Sequence, residues 1–333
     1  MKIGRRITLA ALWTMLLVFF AGCGPKASQP LEKIVTGSAL TIHTSPVWIA
    51  ESKGYFREEG LQVEIKTFES GRTALRTMLN AGGLDLVTAA RGPVVFNSFT
   101  RNDYAVIGCI DYSDNDHQVL ARRDRGIKAP ADLKGKTIGI TAGSSSHFLL
   151  GLFLPYYQLQ MTDVKLIDME PARLAQGLKD GRIDVTITWD PFSNEARKAL
   201  GDKALLLPSK GLYRMDFFLI ARKDFIKKRP ETLKRFLRAI EKSETFMLNN
   251  REVFMIFIVQ NIKMDRKVVT AAWDDFRFRL FLDQSLLTSM EDEARWAIRN
   301  RLTDSITVPN YLEYIHTAAL KAVKPGVVGI AGR

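Results

Sequence analysis

The chain has 333 residues, 46% of them hydrophobic, and a formal charge of +12 at pH 7. That apolar fraction excludes disorder, collagen and coiled coil as whole-chain descriptions, and two cysteines cannot form a disulfide framework. The charge invites a nucleic-acid reading, but its distribution argues against one: residues 1–22 carry +3, residues 23–221 carry +2 and residues 222–333 carry +7. In the last third the cations lie on helical patterns such as Lys227-Lys228-Arg229 through Lys242, as on solvated helix faces. Neither a zinc-finger spacing nor an RNA-binding aromatic motif accompanies them, so no nucleic-acid partner is expected.

Lys2, Arg5 and Arg6 precede an apolar run of 14 residues, Ile7 to Phe20. The run is shorter than the roughly 20 residues of a membrane-spanning helix and has the flanks of a secretory signal. It ends in Phe20-Ala21-Gly22-Cys23-Gly24, which resembles a bacterial lipobox: two small residues before a cysteine that is lipidated and becomes the new N-terminus. An ordinary signal cut nearby is the alternative. The expected division is a signal peptide over 1–22, then a lipidated Cys23 and polar tether over 23–36. Cys109, in the apolar run Ala105 to Ile110, is expected to be a small buried hydrophobe.

Beyond the tether, short β-type runs alternate with helical patterns, which predicts α/β units with parallel strands. The first set of strands is expected at 39–43, 61–68, 84–89 and 104–110, with helices near 46–58, 71–81 and 92–101. The pattern then restarts, with strands at 137–141, 164–169, 183–189 and 204–207 and helices near 145–159, 171–180 and 191–200. Each set closes on a similar string, Val119-Leu120-Ala121-Arg122-Arg123-Asp124 and Leu219-Ile220-Ala221-Arg222-Lys223-Asp224. These strings are read as two crossover segments between two lobes. After 224 the chain reads as mostly helical. Pro155 is expected to end or kink its helix. A single larger sheet is the alternative to two lobes.

Ligands of parallel α/β sheets bind beyond the carboxyl ends of the strands, so the strand-to-helix junctions are the candidate site. Ser45-Pro46, Gly92-Pro93, Glu170-Pro171 and Asp190-Pro191 carry helix-start signals. The clearest junction is Thr141-Ala142-Gly143-Ser144-Ser145-Ser146-His147, before a very apolar helix. Its small residues would let an oxyanion approach free backbone N–H groups and the positive helix end, with the hydroxyls of Ser144 and Ser145 as added donors. A plain helix cap is the other reading of this string. The remaining junctions supply Trp48, Gly71, Arg72, Ala89, Arg91, Trp189 and Tyr213. Aromatics at a cleft can pack an apolar tail, and Arg72 and Arg91 can pair an anion bidentately.

Chemistry is less visible. Lys134-Gly135-Lys136-Thr137 has Pro130 where a P-loop needs glycine, and there is no G-x-S-x-G elbow. The four histidines His43, His117, His147 and His316 are isolated in sequence, with no metal-ligand spacing. No catalytic residue, metal or cofactor is expected.

The mature region resembles the solute-binding proteins of ABC importers, in the NMT1/THI5-like branch serving sulfonates, taurine, nitrate and thiamine-pyrimidine precursors. The resemblance lies in Ser52-Lys53-Gly54-Tyr55-Phe56, Glu59-Gly60-Leu61-Gln62-Val63-Glu64, Asp132-Leu133-Lys134-Gly135-Lys136, Gly143-Ser144-Ser145-Ser146-His147, Gly181-Arg182-Ile183-Asp184 and Trp189-Asp190-Pro191. It covers about 40–225 and extends more loosely to about 320. It implies a type II periplasmic-binding-protein fold, with two Rossmann-like lobes, 37–120 plus 220–325 and 121–219, closing on a ligand. Gly143, Ser144 and Ser145, with His147 following, would face the anionic head of a small organic anion, most like a sulfonate or taurine. Ser45, Pro46 and Trp48 on one side and Trp189 and Asp190 on the other correspond to cleft positions. The implied partners are a permease with its ATPase and the membrane holding the Cys23 lipid; the implied protein is a monomer, exported and anchored on the periplasmic side or outer face of a bacterial membrane. A pyrimidine precursor, nitrate or an aromatic acid is the alternative ligand. A thiamine-pyrimidine synthesis enzyme on the same fold, or an extracellular sensor subunit, is the alternative class.

Overall fold

A computed structural model describes residues 30–330; the expected signal peptide, Cys23 and most of the expected tether lie outside the described residues. The chain first forms β1 (Glu32–Ala39), α1 (Ser45–Ser52), α2 (Tyr55–Glu58), β2 (Leu61–Phe68), α3 (Gly71–Asn80), β3 (Leu86–Ala90), α4 (Arg91–Ser98) and β4 (Tyr104–Ser113). It continues with β5 (Gln118–Arg122), β6 (Thr137–Ile140), α5 (Ser145–Tyr156), β7 (Lys165–Asp168), α6 (Pro171–Lys179), β8 (Val185–Thr188), α7 (Phe192–Leu200) and β9 (Ala204–Leu207). It ends with β10 (Met215–Arg222), α8 (Lys223–Lys228), α9 (Pro230–Asn249), α10 (Arg251–Ile262), α11 (Arg266–Ala272), β11 (Phe276–Asp283), α12 (Gln284–Arg299), α13 (Ala318–Val323) and β12 (Val328–Gly329).

These strands build two sheets, β12-β11-β4-β10-β3-β1-β2 and β7-β6-β8-β5-β9. The stretch β2-β1-β3-β10-β4 repeats the order of the second sheet. In each, one strand has just crossed from the other sheet, β10 or β5, and it runs antiparallel between two neighbours. Strands covered on both faces read as near-continuous apolar runs. β4, between the antiparallel β10 and β11, shows this, with nine of its ten residues buried, Cys109 among them.

Three boundaries differ from the sequence expectation. The first strand is Glu32–Ala39, so the segment read as the end of a tether is already sheet. Glu32 is pinned there by Arg229 at 2.7 Å, by the Thr232 hydroxyl at 2.6 Å and by Arg235. The expected strand at 39–43 is instead a 3-10 turn, Ile42–Thr44, leading into α1. The crossover strings at 119–124 and 219–224 do not bridge the lobes. β5 and β10 lie wholly within one sheet each, and the crossings are the segments before them, 114–117 and 208–214. The helical tail also contains β11, which pairs antiparallel with β4. Its Phe276-Arg277-Phe278-Arg279 has the period of a strand with one buried face.

α5 explains how the lobes meet. It is apolar nearly all round, with Phe148, Leu149, Leu150, Phe153 and Leu154 buried. Its first turn abuts α4, and Phe148 meets Trp296 of α12 with ring centroids 5.2 Å apart. The helix ends one residue after Pro155, as expected of a proline in the last turn.

Candidate functional site

Between the lobes lies a cavity of about 450 Å³, counting its open mouth. Ala39, Thr41, His43, Ser70, Gly71, Arg72, Ala90, Pro93, Met215 and Phe217 line it from the first sheet and its helices. Ser144, Ser145 and Trp189 line it from the second, and Asp116 and His117 from the crossing between them. The N-termini of α3, α4 and α5 therefore converge here. The first N–H groups of each helix have no partner within it, and the helix dipole places partial positive charge at that end. Ser70 caps α3 by accepting from the Thr73 N–H at 3.2 Å. Ser144 occupies the cap position of α5 in extended backbone.

The lobes touch around this cavity. The Gly92 N–H donates to Ser145 Oγ at 3.4 Å. A side chain at Gly92 would bring Cβ within 2.7 Å of the Ser145 nitrogen, so only glycine allows this approach. Nearer the mouth, Arg72 pairs with Glu170 at 3.2 Å and the Ala172 N–H donates to Glu69 at 3.1 Å.

The crossing side of the cavity is charged and buried. His43 is buried between two carboxylates: Nδ1 contacts Asp111 and Nε2 lies 2.7 Å from Asp116. Burial alone would lower its pKa, but Asp116 and Asp111 raise it to about 10. The ring stacks on Phe217 at 5.1 Å. Burial opposes ionisation of Asp116, yet His43 and His117 hold it well below the usual carboxylate range. His117 Nδ1 is 2.8 Å from Asp116, and its ring lies 5.4 Å from Trp189.

Of the residues singled out in the sequence, Gly71, Arg72, Ser144, Ser145 and Trp189 line the cavity. Ala89 lies one residue before the lining Ala90. The other candidates hold the frame. Ser45 donates to the Ile42 carbonyl at 2.6 Å and Trp48 Nε1 to the Ala39 carbonyl at 3.1 Å. With buried Pro46, they fix the junction that presents Thr41 and His43. Gly143 takes φ +67° to turn the chain into α5. Asp190 caps α7, accepting from the Ser193 hydroxyl and from the Asn194 N–H at 3.1 Å.

Two expected anion contacts are spent elsewhere. Arg91 is buried in ion pairs with Asp216 and with Glu293 at 3.0 Å, and it lies over the Tyr213 ring at 4.9 Å. Arg91 and Tyr213 line a groove between α5 and α12, not the cavity. The Ser144 hydroxyl donates to the Thr141 carbonyl at 2.6 Å, so its proton is not free for a ligand. His147 packs between Phe96 and Trp296, and neither ring nitrogen has a hydrogen-bond partner. Burial pushes its pKa down to about 4, which keeps it neutral. Sequence reading missed Thr41, His43, Asp116 and His117. The available signals were a histidine just after β1 and an Asp-His pair in the crossing. Among the described residues, no group of three or more His, Cys, Asp or Glu is arranged to hold a metal ion, and no helix is long and apolar enough to cross a membrane.

Two sheets of matching strand order, joined by two crossings around a cavity of converging helix ends, define a two-lobed periplasmic binding-protein fold. Residues 41–252 match the family model described as NMT1/THI5 like, and the chain belongs to that family. A Bacillus subtilis (strain 168) protein named for binding aliphatic sulfonates is 27% identical over 278 residues, 81% of each chain. The taurine-binding periplasmic protein of Escherichia coli K12 is 25% identical over 218 residues, 63% of this chain and 66% of that one. The alkanesulfonate-binding protein SsuA of Xanthomonas axonopodis pv. citri, in a structure bound to MOPS, has a TM-score of 0.73 at 20% identity, covering 86% of this chain and 98% of that one.

Proposed function

We propose that this protein is the solute-binding component of an ABC importer. It captures a small organic anion, an aliphatic sulfonate or taurine-like compound, and presents it to a permease. The observation that carries this reading is the convergence of helix N-termini from both lobes on one cavity. A single oxyanion there would draw on N–H groups and helix dipoles from each side, which favours the closed arrangement by differential affinity. The relatives named for sulfonate and taurine binding support the ligand class. No covalent step belongs to this reading. The lobes, 32–113 with 215–330 and 118–207, would move as halves about the crossings 114–117 and 208–214. The export signal at 1–22 and a lipid on Cys23 would keep a monomer at the membrane surface.

Thermal unfolding measured against taurine, ethanesulfonate, nitrate, an aminopyrimidine and an aromatic acid tests it. A ligand at 100 times its dissociation constant adds about 2.7 kcal/mol to the folded state. Stabilisation by a sulfonate is expected. Stabilisation by the pyrimidine or nitrate, with none by sulfonates, would overturn the ligand class.

A further inference from the structure

We propose that the crossing side of the cavity is an ammonium subsite. Asp116, with His117 and Thr41 beside it, would take a protonated amine at the end of the ligand remote from its acidic head. The protein would then select amino-substituted sulfonates over plain alkanesulfonates. This rests on the reading of the cavity as a sulfonate site and decides which sulfonates it takes.

Two carboxylates, those of Asp111 and Asp116, flank the His43 ring on this side of the cavity. Asp111 is turned to His43 and to the Arg277 N–H at 3.1 Å, and Asp116 is the carboxylate that lines the cavity. Among the described residues, Arg72 is the one Lys or Arg side chain lining it, and Arg72 already pairs with Glu170. A sulfonate placed against Asp116 would meet a like charge in a poorly solvated site, where such repulsion is strong. The acidic head is thereby directed to the helix ends at Ser144-Ser145 and Gly71.

The hydrogen-bond inventory points the same way. His117 lines the cavity beside Asp116, and its buried Nδ1, 2.8 Å from that carboxylate, has no hydrogen-bond partner. Thr41 Oγ1 is buried, lines the cavity and has no partner; such groups usually await a ligand or water. A carboxylate and an unpaired hydroxyl together match an ammonium, which has three donors and no acceptor. An alkyl group at the same place would leave the Thr41 hydroxyl unsatisfied, and a site with an unmet polar group discriminates against such an analogue.

Calorimetric titration of the full chain with taurine, isethionate and ethanesulfonate tests this, since the three share one head and differ in the terminal ammonium, hydroxyl or methyl. Taurine is expected to bind at least about tenfold more tightly than ethanesulfonate, with isethionate between them. Asp116→Asn and His117→Gln should each shrink that ratio, and the comparison on the unmutated chain stands if either variant fails to fold. Ethanesulfonate binding as tightly as taurine would overturn the subsite and leave the sulfonate reading intact. Binding of none of the three would overturn both.

Discussion

Glu293 and His147 are buried titratable groups on either side of the lobe junction, and they answer opposite questions of charge. Burial raises Glu293 from 4.5 to about 7, against the pull of Arg91. Its contribution to stability is fully present below 4.5 and is lost as pH rises through about 7. Burial lowers His147 from 6.5 to about 4, so its contribution is present above 6.5 and is lost as pH falls through about 4. In the wild-type chain the two slopes oppose each other across the overlapping window. Glu293→Gln removes the first, so relative to wild type it should gain stability between pH 4.5 and 7. His147→Leu removes the second and should lose relative stability over pH 4 to 6.5. Urea unfolding of both variants at pH 5 and 7.5 reads the two signs; curves parallel to wild type would contradict the account.

At the scale of elements, the junction depends on how closely α4 and α5 approach. Gly92→Val places its side chain where Cβ alone would come within 2.7 Å of the Ser145 nitrogen. Because the clash lies between lobes, the variant should unfold near the wild-type temperature yet lose most of its affinity. Ser144→Pro or a bulky residue at Gly143 should also abolish binding, since the latter forces a side chain into φ +67°. Sulfonate affinity retained in these variants would show that the anion is not held at the α5 start. Much of this frame was legible in sequence: most of the alternation of strands and helices, the serine junction and the helix starts at Pro46 and Pro171 fall where local rules place them, whereas Pro93 is the third residue of α4 and Pro191 precedes α7. β11 was not, because Phe276-Arg277-Phe278-Arg279 sits among helices and its partner β4 lies far back in the chain. The charged cluster was hidden for the same reason. His43 and Asp111 are 68 residues apart, and only the β4–β10 side of the sheet brings them together. Arg91 looked like an anion clamp because its partners, Asp216 and Glu293, come from β10 and α12.

For the whole molecule, the charge of +12 turns out to say little about the ligand. Its excess lies in residues 1–22 and on the last third of the chain, where cations such as Arg235, Arg238 and Lys242 pair with Glu32, Glu58 and Glu59 across the surface of the first lobe. Exposed pairs of this kind contribute about 0–1 kcal/mol each; here they fasten α9 to β1 and α2. The cavity is not a basic pit. It is bipolar, with helix ends on one side and Asp116 on the other, so a bound anion has one sensible orientation. The most direct measurement is the position of the sulfonate sulfur in crystals grown with taurine, located by its anomalous scattering. That sulfur is expected between the first turns of α3 and α5, beside Gly71 and Ser145. A sulfur found against Asp116 and His117, or outside the cavity, would contradict it.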